Sequence, residues 1–480
     1  MKITAVILAA GQGTRMNSDL PKVLHPVCGV PMIAHSLAAV NTASSETPVV
    51  IIGHGAEAVR EFLGEKARCV VQDPQLGTGH AVQQAESTLR GKTDLVLVVY
   101  ADMPLLRPET IKGLVETQKA NKGPLTILTV SAADSRGFGR VVRGPGGSVQ
   151  AIVEEAVATE EQLSSIHELN VGAYCFSADW LWDALHKIKV SPRPPSPVLE
   201  PGLSRGNRDY AAGIGTTAQK GEYYLTDTVA LAVQAGLTVQ ALVSDDLMET
   251  IGINTRVHLA EAEVAMRQRI NRAHMLAGVT IVDPASTYIE PGIKIGRDTV
   301  IWPNTYLRGK TVIGEGCVIG PNTIAEDTTV GDCCEILAAV MEGAVVEDNV
   351  GIGPFARLRK GAHLCKGVHV GNFGEIKDST LGSGTKMGHF SYIGDATIGN
   401  NVNIGAGTVT CNYDGVHKNP TEIGEDVFIG SDTMLIAPVK IGARSRTGAG
   451  AVVTKDVEPD TLVVGVPARP IKKLNEAKND

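Results

Sequence analysis

Short apolar runs separated by amphipathic stretches set the pattern of the first half of the chain. Residues 5–10, 49–53 and 95–100 are continuously apolar, as strands buried on both faces are. Residues 33–40, 79–89 and 109–119 lie between or after them with helical spacing. Strand alternating with helix predicts an α/β doubly wound, Rossmann-like sheet. Ligands of such sheets bind beyond the carboxyl ends of the strands, which is where residues 11–15 and Asp102 fall. Residues 257–277 lack proline, are rich in Ala with Glu, Arg and a Gln among them, and predict one helix ended by Gly278. We place the domain junction there: residues 1–256, a linker helix over 257–277, and residues 278–480.

Beyond Gly278 the pattern changes. An aliphatic residue followed by glycine recurs, as in Ile295-Gly296, Ile313-Gly314, Ile319-Gly320, Ile393-Gly394, Ile398-Gly399 and Ile404-Gly405. Gly424, Gly430, Gly442 and Gly448 share one six-residue comb. Six is neither a helix period nor strand alternation, and predicts a parallel β-helix of hexapeptide rungs. Each rung points one aliphatic inward, and glycine at the corner avoids a Cβ clash. Asn322, Asn349, Asn401 and Asn403 suit corners with left-handed backbone. The alternative, ordinary loops of Gly, Asn and Asp, does not explain so long a comb. Residues 191–213 are rich in Pro and Arg and predict a loop insertion, and the polar tail after Arg469 predicts fraying.

Composition adjusts this picture in a few places. At 480 residues with 43% hydrophobic and 20% charged, the chain is long enough for two or more cores. A net charge of -8 argues against nucleic acid and anionic membrane as partners. Aromatics reach only 4% against 53 glycines, as repeated tight turns require. The 8 cysteines form no CxxC, and Cys333-Cys334 are adjacent, which fits reduced thiols in a cytoplasmic protein. The apolar start, followed by Gly11-Gln12-Gly13-Thr14-Arg15 with no small-x-small cleavage site, reads as a first strand rather than a signal peptide.

The opening loop Leu8-Ala9-Ala10-Gly11-Gln12-Gly13-Thr14-Arg15, with Lys22 following, is neither a Rossmann fingerprint nor a Walker A loop. A glycine loop after a buried strand still brings backbone N–H groups to phosphate oxygens, and Arg15 and Lys22 add positive charge. The whole string resembles the signature of nucleoside-triphosphate:sugar-1-phosphate nucleotidyltransferases. Gln72 before Leu76-Gly77-Thr78-Gly79-His80 resembles that family's base-binding loop, and Tyr100-Ala101-Asp102 its metal-binding turn. Gly139, Glu154 and Asn170-Val171-Gly172 match its sugar side, and Gly221-Glu222-Tyr223-Tyr224-Leu225-Thr226-Asp227 and Gly252-Ile253-Asn254 complete the set.

Over nearly the full chain the sequence is similar to the family of bacterial bifunctional N-acetylglucosamine-1-phosphate uridyltransferases/glucosamine-1-phosphate acetyltransferases. By that resemblance Asp102 and Asn254 hold Mg²⁺, Arg15 and Lys22 steady the leaving pyrophosphate, and Leu8, Ala9, Ala10, Gly11, Gln72, Gly77, Thr78, Tyr100, Ala101, Gly139, Glu154 and Asn170 bind UTP or the sugar nucleotide. Taken alone, Asp102 also reads as a helix N-cap.

One stretch of the repeats is polar: Arg359, Lys377, His389, Tyr392 and Asn403, with Thr410-Cys411-Asn412-Tyr413-Asp414-Gly415 interrupting the rungs. A lone His in a β-helix is commonly a surface residue. His389 gains weight from its company, since a neutral imidazole accepts a proton from an attacking amine. The resemblance implies that His389 is the general base for acetyl transfer from acetyl-CoA to glucosamine 1-phosphate. It gives Arg359, Lys377, Tyr392 and Asn403 to the sugar phosphate, and Ala406, Asn412, Tyr413, Ser431 and Ala449 to acetyl-CoA. It also implies a left-handed β-helix, a homotrimer, and a product, UDP-N-acetylglucosamine, used in peptidoglycan and lipopolysaccharide synthesis. Two departures stand out: the 191–213 stretch is longer than the family pattern, and Gly465 stands where a coenzyme-contacting arginine is expected. The alternative is a single-function sugar-nucleotide pyrophosphorylase whose β-helix only oligomerises or regulates.

Overall fold

A computed structural model describes residues 1–134, 137–154, 158–190 and 221–474. The 191–213 stretch lies outside the described residues. The chain divides into two compact units, Met1–Met266 and Arg267–Asp480.

The first unit is built on one nine-stranded sheet. Its strands are β1 (Ile3–Ala9), β2 (Val49–Ile52), β3 (Arg68–Val71), β4 (Leu95–Tyr100), β5 (Leu125–Ser131), β6 (Arg140–Arg143), β7 (Val149–Val153), β8 (Glu168–Ser177) and β9 (Val239–Ser244). The main order is β9-β5-β8-β4-β1-β2-β3, with the β6–β7 hairpin attached to β8. The predicted apolar runs form the centre: β1 pairs in parallel with β2 and β4, and all seven of its residues are buried. β8 runs antiparallel to both β4 and β5, so the sheet is mixed. Helices Met32–Asn41 and Pro108–Ala120 form as the spacing predicts. The helix expected over 79–89 is instead two, Thr78–Gln83 and Glu86–Leu89. Between them the Gln84 and Ala85 amides bond three residues back, to Ala81 and Val82, which tightens the turn and breaks the α register.

Helix Arg256–Leu276 spans the division between the units. Within the first unit its Ala262, Ala265 and Met266 are buried, and Glu263 accepts from the Cys28 amide at 2.6 Å. Within the second, the Asn271 side chain donates to the carbonyls of Pro284 and Thr287. Gly278, at φ +98°, ends the helix in a conformation that favours glycine.

The second unit is a stack of short parallel strands in three sheets, of 12, 10 and 9 strands. The chain visits them in turn. Thr280–Ile281 opens the first face, Tyr288–Ile289 the second and Lys294–Ile295 the third; the next coil begins at Val300–Ile301. Register is one residue above its equivalent: Ile301 on Ile319, Leu307 on Ala325, Ile313 on Val330. The inward residues of the rungs are buried, including Ile301, Ile319, Ile336, Leu358 and Ile393 at 0% exposure, apart from half-buried Ile295 in the first coil. Burying each such aliphatic contributes about 1.5–3 kcal/mol.

Threonines inside the corners satisfy the turns: the Thr299 hydroxyl donates to the Gly314 carbonyl and accepts from the Cys317 amide. Cys317 and Cys334 continue that column as buried thiols, while Cys333 is exposed at a left-handed turn. Asn322, Asn349 and Asn401 have positive φ as expected, but Asn403 lies in the strand Asn403–Ile404 on the first face. The fraying expected after Arg469 is corrected as far as residue 474. Arg469–Lys473 pairs antiparallel with Thr461–Val464, because that strand has no further coil to cover its edge.

Candidate active sites

In the first unit, β1 and β4 end side by side, with the Ala101 amide donating to the Leu8 carbonyl at 3.0 Å. This sets the glycine loop beside Asp102. Leu8, Ala9 and Ala10 are buried. Gly13 has φ +65°, and a Cβ there would stand 2.7 Å from the Lys22 Cβ, so glycine is what lets the Lys22 stem pack on the loop. The Lys22 ammonium donates to Asp102 Oδ2 at 2.5 Å and to Asn254 Oδ1 at 2.8 Å. Arg15 Nη2 donates to the same Asn254 oxygen at 3.1 Å. Asn254 reaches this point because the Ile253 amide donates to the Asp102 carbonyl at 2.9 Å. Asp102 caps no helix: the following one starts at Pro108 with Arg107 at its N-cap.

The second loop is stitched to residues 221–225. The Gly79 amide donates to the Tyr223 carbonyl, the Tyr223 amide to that of Leu76, and the Leu225 amide to Thr78 Oγ1. Gly77, at φ +99°, passes so close to Tyr223 that a Cβ would stand 2.7 Å from its carbonyl oxygen. Gln72 Nε2 donates to the Gly77 carbonyl at 2.9 Å, bracing the loop from inside.

On the remaining side the Asn170 amide donates to the Gly139 carbonyl at 2.8 Å, and Asn170 Nδ2 to the Tyr174 hydroxyl at 2.9 Å. Asn170 Oδ1 is buried with no hydrogen-bond partner among the described residues, an acceptor for a ligand N–H or O–H. Burial pushes the Glu154 carboxyl above its ordinary range, and nearby Asp227 adds to this; the Thr226 hydroxyl opposes it by donating to Glu154. Burial likewise keeps the Tyr100 phenol protonated, against a hydrogen bond with Thr78. Gly172, at φ +91°, leaves room for the Tyr100 ring. Sequence reasoning missed Gln75, whose Nε2 holds the Ala10 carbonyl at 2.7 Å. Nothing in its local pattern distinguishes it from an ordinary surface polar residue.

In the second unit, the candidates fall along the two edges of the second face. On its entry edge, four successive coils each turn through a glycine, Gly388, Gly405, Gly430 and Gly448. The residues after them are His389, Ala406, Ser431 and Ala449, which form one column. The column is held by backbone bonds: Gly407 to Phe390 at 2.7 Å, Asp432 to Ala406 at 2.6 Å, Gly450 to Ser431 at 2.8 Å. His389 is exposed there, beside exposed Phe390. Asn403 stands on the first face, in register with Lys386 and Phe428.

At the exit edge Arg359 pairs with Glu375 at 3.0 Å and Lys377 with Asp378 at 3.2 Å. Lys377 also neighbours Lys418, which sequence reasoning missed because 41 positions separate them. Arg357, Arg359, Lys360 and Lys377 line a cleft of about 500 Å³ with Glu326, Asp327 and Glu342. Gly394 leaves space into which the Tyr392 hydroxyl and the Asn412 amide both reach, since a Cβ would stand 2.5 and 2.7 Å from them. Asn412 Nδ2 donates to Asp395 at 2.5 Å. From Asn412 the chain leaves the coil and returns by Asn419, whose amide donates to the Asn412 carbonyl. Tyr413 is exposed on that excursion, its hydroxyl donating to the Gly415 carbonyl at 2.6 Å.

Comparison with known proteins agrees with this two-part reading. Residues 5–165 match the model of the MobA-like NTP transferase domain, and residues 292–324 and 420–455 that of the bacterial transferase hexapeptide (six repeats). The bifunctional protein GlmU of Shouchella clausii is 44% identical over 476 residues, covering 99% of both chains. That of Exiguobacterium sp. is 44% identical over 464 residues, covering 97% of both. That of Heliobacterium modesticaldum is 45% identical over 463 residues, covering 96% of this chain and 95% of its own. With full-length likeness at this level and both kinds of domain in place, the chain belongs to the family of bifunctional GlmU proteins.

Proposed function

We infer that the chain carries two activities in sequence. It acetylates glucosamine 1-phosphate with acetyl-CoA, then couples N-acetylglucosamine 1-phosphate to UTP, giving UDP-N-acetylglucosamine and pyrophosphate. We assign uridyl transfer to residues 1–256 and acetyl transfer to residues 278–480, with 257–277 as the helix between them. The observation that carries the first assignment is the Lys22 ammonium held by Asp102 Oδ2 and Asn254 Oδ1.

In uridyl transfer a phosphate oxygen of the sugar attacks the α-phosphorus of UTP, a new P–O bond forms, and the bond to pyrophosphate breaks. The nucleophile is already an anion, so no protein base is needed; positioning and charge neutralisation suffice. Lys22 and Arg15 supply fixed positive charge for the departing pyrophosphate. Gly77, Thr78 and Gln72 form the pocket for the base, and Glu154 and Asn170 meet the sugar. Asp102 and Asn254 present two hard oxygen donors to one cation, the Lys22 ammonium, and such a donor pair fits Mg²⁺. When bound there, Mg²⁺ neutralises phosphate charge.

In acetyl transfer the amine of glucosamine 1-phosphate attacks the thioester carbonyl. The C–N bond forms, the C–S bond breaks, and coenzyme A leaves as thiolate. His389 receives the proton from the amine and returns one to the departing sulfur. Arg359 and Lys377 take the sugar phosphate, Tyr392 and Asn403 orient the sugar, and the small residues Ala406, Ser431 and Ala449 give the coenzyme a flat track beside His389. Asn412 and Tyr413, on the excursion, complete the coenzyme side. We further propose a cytoplasmic homotrimer. Among the described residues no helix is long and apolar enough to cross a membrane.

A coupled assay tests the reading. The purified chain receives glucosamine 1-phosphate, acetyl-CoA, UTP and Mg²⁺, with free CoA and pyrophosphate both followed. Release of both, with pyrophosphate depending on acetyl-CoA, is expected. Pyrophosphate from added N-acetylglucosamine 1-phosphate with no CoA release would reduce the β-helix to a scaffold.

A further inference from the structure

The corner that follows the third face repeats nine times, once for each third-face strand. Its first residue is fixed by one backbone bond to the coil above: Gly296 to Ile313, Gly314 to Val330, Gly331 to Val346, Gly382 to Ile398, Gly399 to Ile423 and so on. In seven coils that residue is glycine, and a Cβ there would come within 2.4 to 2.7 Å of the next coil. The two exceptions are adjacent, Glu347 and Cys365, each making the same backbone bond, to Leu364 and Leu381. Two consecutive coils therefore place side chains where every other coil excludes one.

Both exceptions are metal-ligand types, and a third stands beside them. His363 lies two residues before Cys365 on the third face, in register with Val345 and Thr380. Its Nε2 is 2.8 Å from Glu347 Oε1. The other Glu347 oxygen accepts from the Lys366 amide at 2.9 Å, which fixes the carboxylate. One donor atom each from Glu347, His363 and Cys365 lies within 4.8 Å of the other two. Donors about 2.0–2.3 Å from zinc stand about 3–4 Å apart in a tetrahedron, so small side-chain rotations bring the three onto one ion.

We propose that Glu347, His363 and Cys365 bind a zinc-class divalent cation, with water as fourth ligand. The set of one carboxylate oxygen, one imidazole nitrogen and one thiolate sulfur suits zinc or cobalt rather than the Mg²⁺ proposed for Asp102 and Asn254, where both donors are oxygen. Binding displaces the Cys365 thiol proton to solvent and joins two coils through one ion. None of the three residues belongs to the columns assigned to acetyl transfer.

The test uses the full-length protein after chelator treatment, titrated with Co²⁺ and then Zn²⁺. Cobalt binding is expected to give a near-ultraviolet thiolate-to-cobalt charge-transfer band, abolished by one equivalent of zinc per chain. The Asp102–Asn254 site has no sulfur and gives no such band. Cys365→Gly and Glu347→Gly restore the residue of the other seven coils, and His363→Thr the residue of the next rung, Thr380, so folding is retained. Cys365→Gly should lose the band, and Glu347→Gly and His363→Thr should weaken zinc about tenfold or more, all with both transfer activities unchanged. Absence of the band in the parent protein, its survival in Cys365→Gly, or unaltered zinc affinity in the other two variants would overturn the assignment.

Discussion

Lys22 occupies the space between a carboxylate and an amide oxygen, so its charge is placed before any substrate arrives. Among the described residues neither oxygen has a structural role elsewhere that would explain the convergence: Asp102 caps no helix, and Asn254 is brought in by a backbone bond from Ile253. Asp102→Ala should lower uridyl transfer by at least about 100-fold, the scale of losing one preorganised charge contact. Acetyl transfer from the same purified variant should stay at the parent rate. Uridyl transfer at full rate would remove Asp102 from the site. A second residue-scale prediction concerns pH. His25 is buried, and its Nδ1 lies 3.2 Å from Arg256 Nη1, while Arg256 Nε donates to the Met16 carbonyl. Burial, then the Arg256 charge, lowers the His25 pKa below its ordinary 6.5. With a depressed folded-state value, the folded chain prefers neutral imidazole. Its contribution to stability is present above the unfolded value and is lost as pH falls through 6.5 toward the folded value. Denaturant unfolding between pH 7.5 and about 5 should show stability falling with acidity, and His25→Asn should flatten part of that slope. An unchanged slope would mean that other groups carry it.

Elements differ in how openly the sequence declares them. The parallel strands at the sheet centre were legible because burial on both faces leaves no polar position. The β-helix was legible because a coil that stacks on its own copy must repeat its glycine and its aliphatic. The antiparallel β8 was not: direction depends on which edge of β4 remains open, and no local pattern encodes that. The break after Gln83 was hidden because a helix and a tightened turn share the same apolar spacing. Asn403 was misplaced at a corner because asparagine serves both corners and faces. The internal threonines, apolar enough to bury and polar enough to satisfy the turns, went unread because hydropathy ranks them as neither. The glycine column carries its own prediction. A Cβ on Gly314 would lie 2.4 Å from Asp332 Oδ1 and 2.5 Å from the Gly331 carbonyl oxygen. Backbone on one side cannot yield without separating coils, so Gly314→Ala should destabilise the second unit by about 1–3 kcal/mol. Denaturant unfolding followed at the exposed tryptophan Trp302 reads this directly, with uridyl transfer retained at low denaturant. Unaltered unfolding would mean the corner relaxes without cost.

At the scale of the whole molecule, the unsatisfied feature is apolar surface beside the acetyl-transfer column. Phe355, Phe373 and Phe390 stand at successive turns into the second face with 61%, 59% and 57% of their surface exposed. Phe355 and Phe373 stack at 5.4 Å between ring centroids, and both have positive φ, 61° and 57°, where a bulky residue is disfavoured. Three large rings are held outward, two of them on such backbone, and beyond the Phe355–Phe373 stack they leave most of their apolar surface in water. They gain if a neighbouring copy covers them, since each exposed ring then removes apolar area from water. The same edge carries His389, and the excursion at 412–419 projects Tyr413 and Val416, 63% and 75% exposed, away from its own coil. A homotrimer in which one copy's excursion reaches another's edge accounts for both. Phe373→Asp should then shift the mass measured by light scattering from three chains toward one. It should also lower acetyl transfer in parallel, while uridyl transfer, which we assign to residues 1–256, stays at the parent rate. Loss of acetyl transfer with the trimer intact would make the rings part of the substrate path, and an unchanged mass with both activities kept would leave this edge open to solvent in the working enzyme.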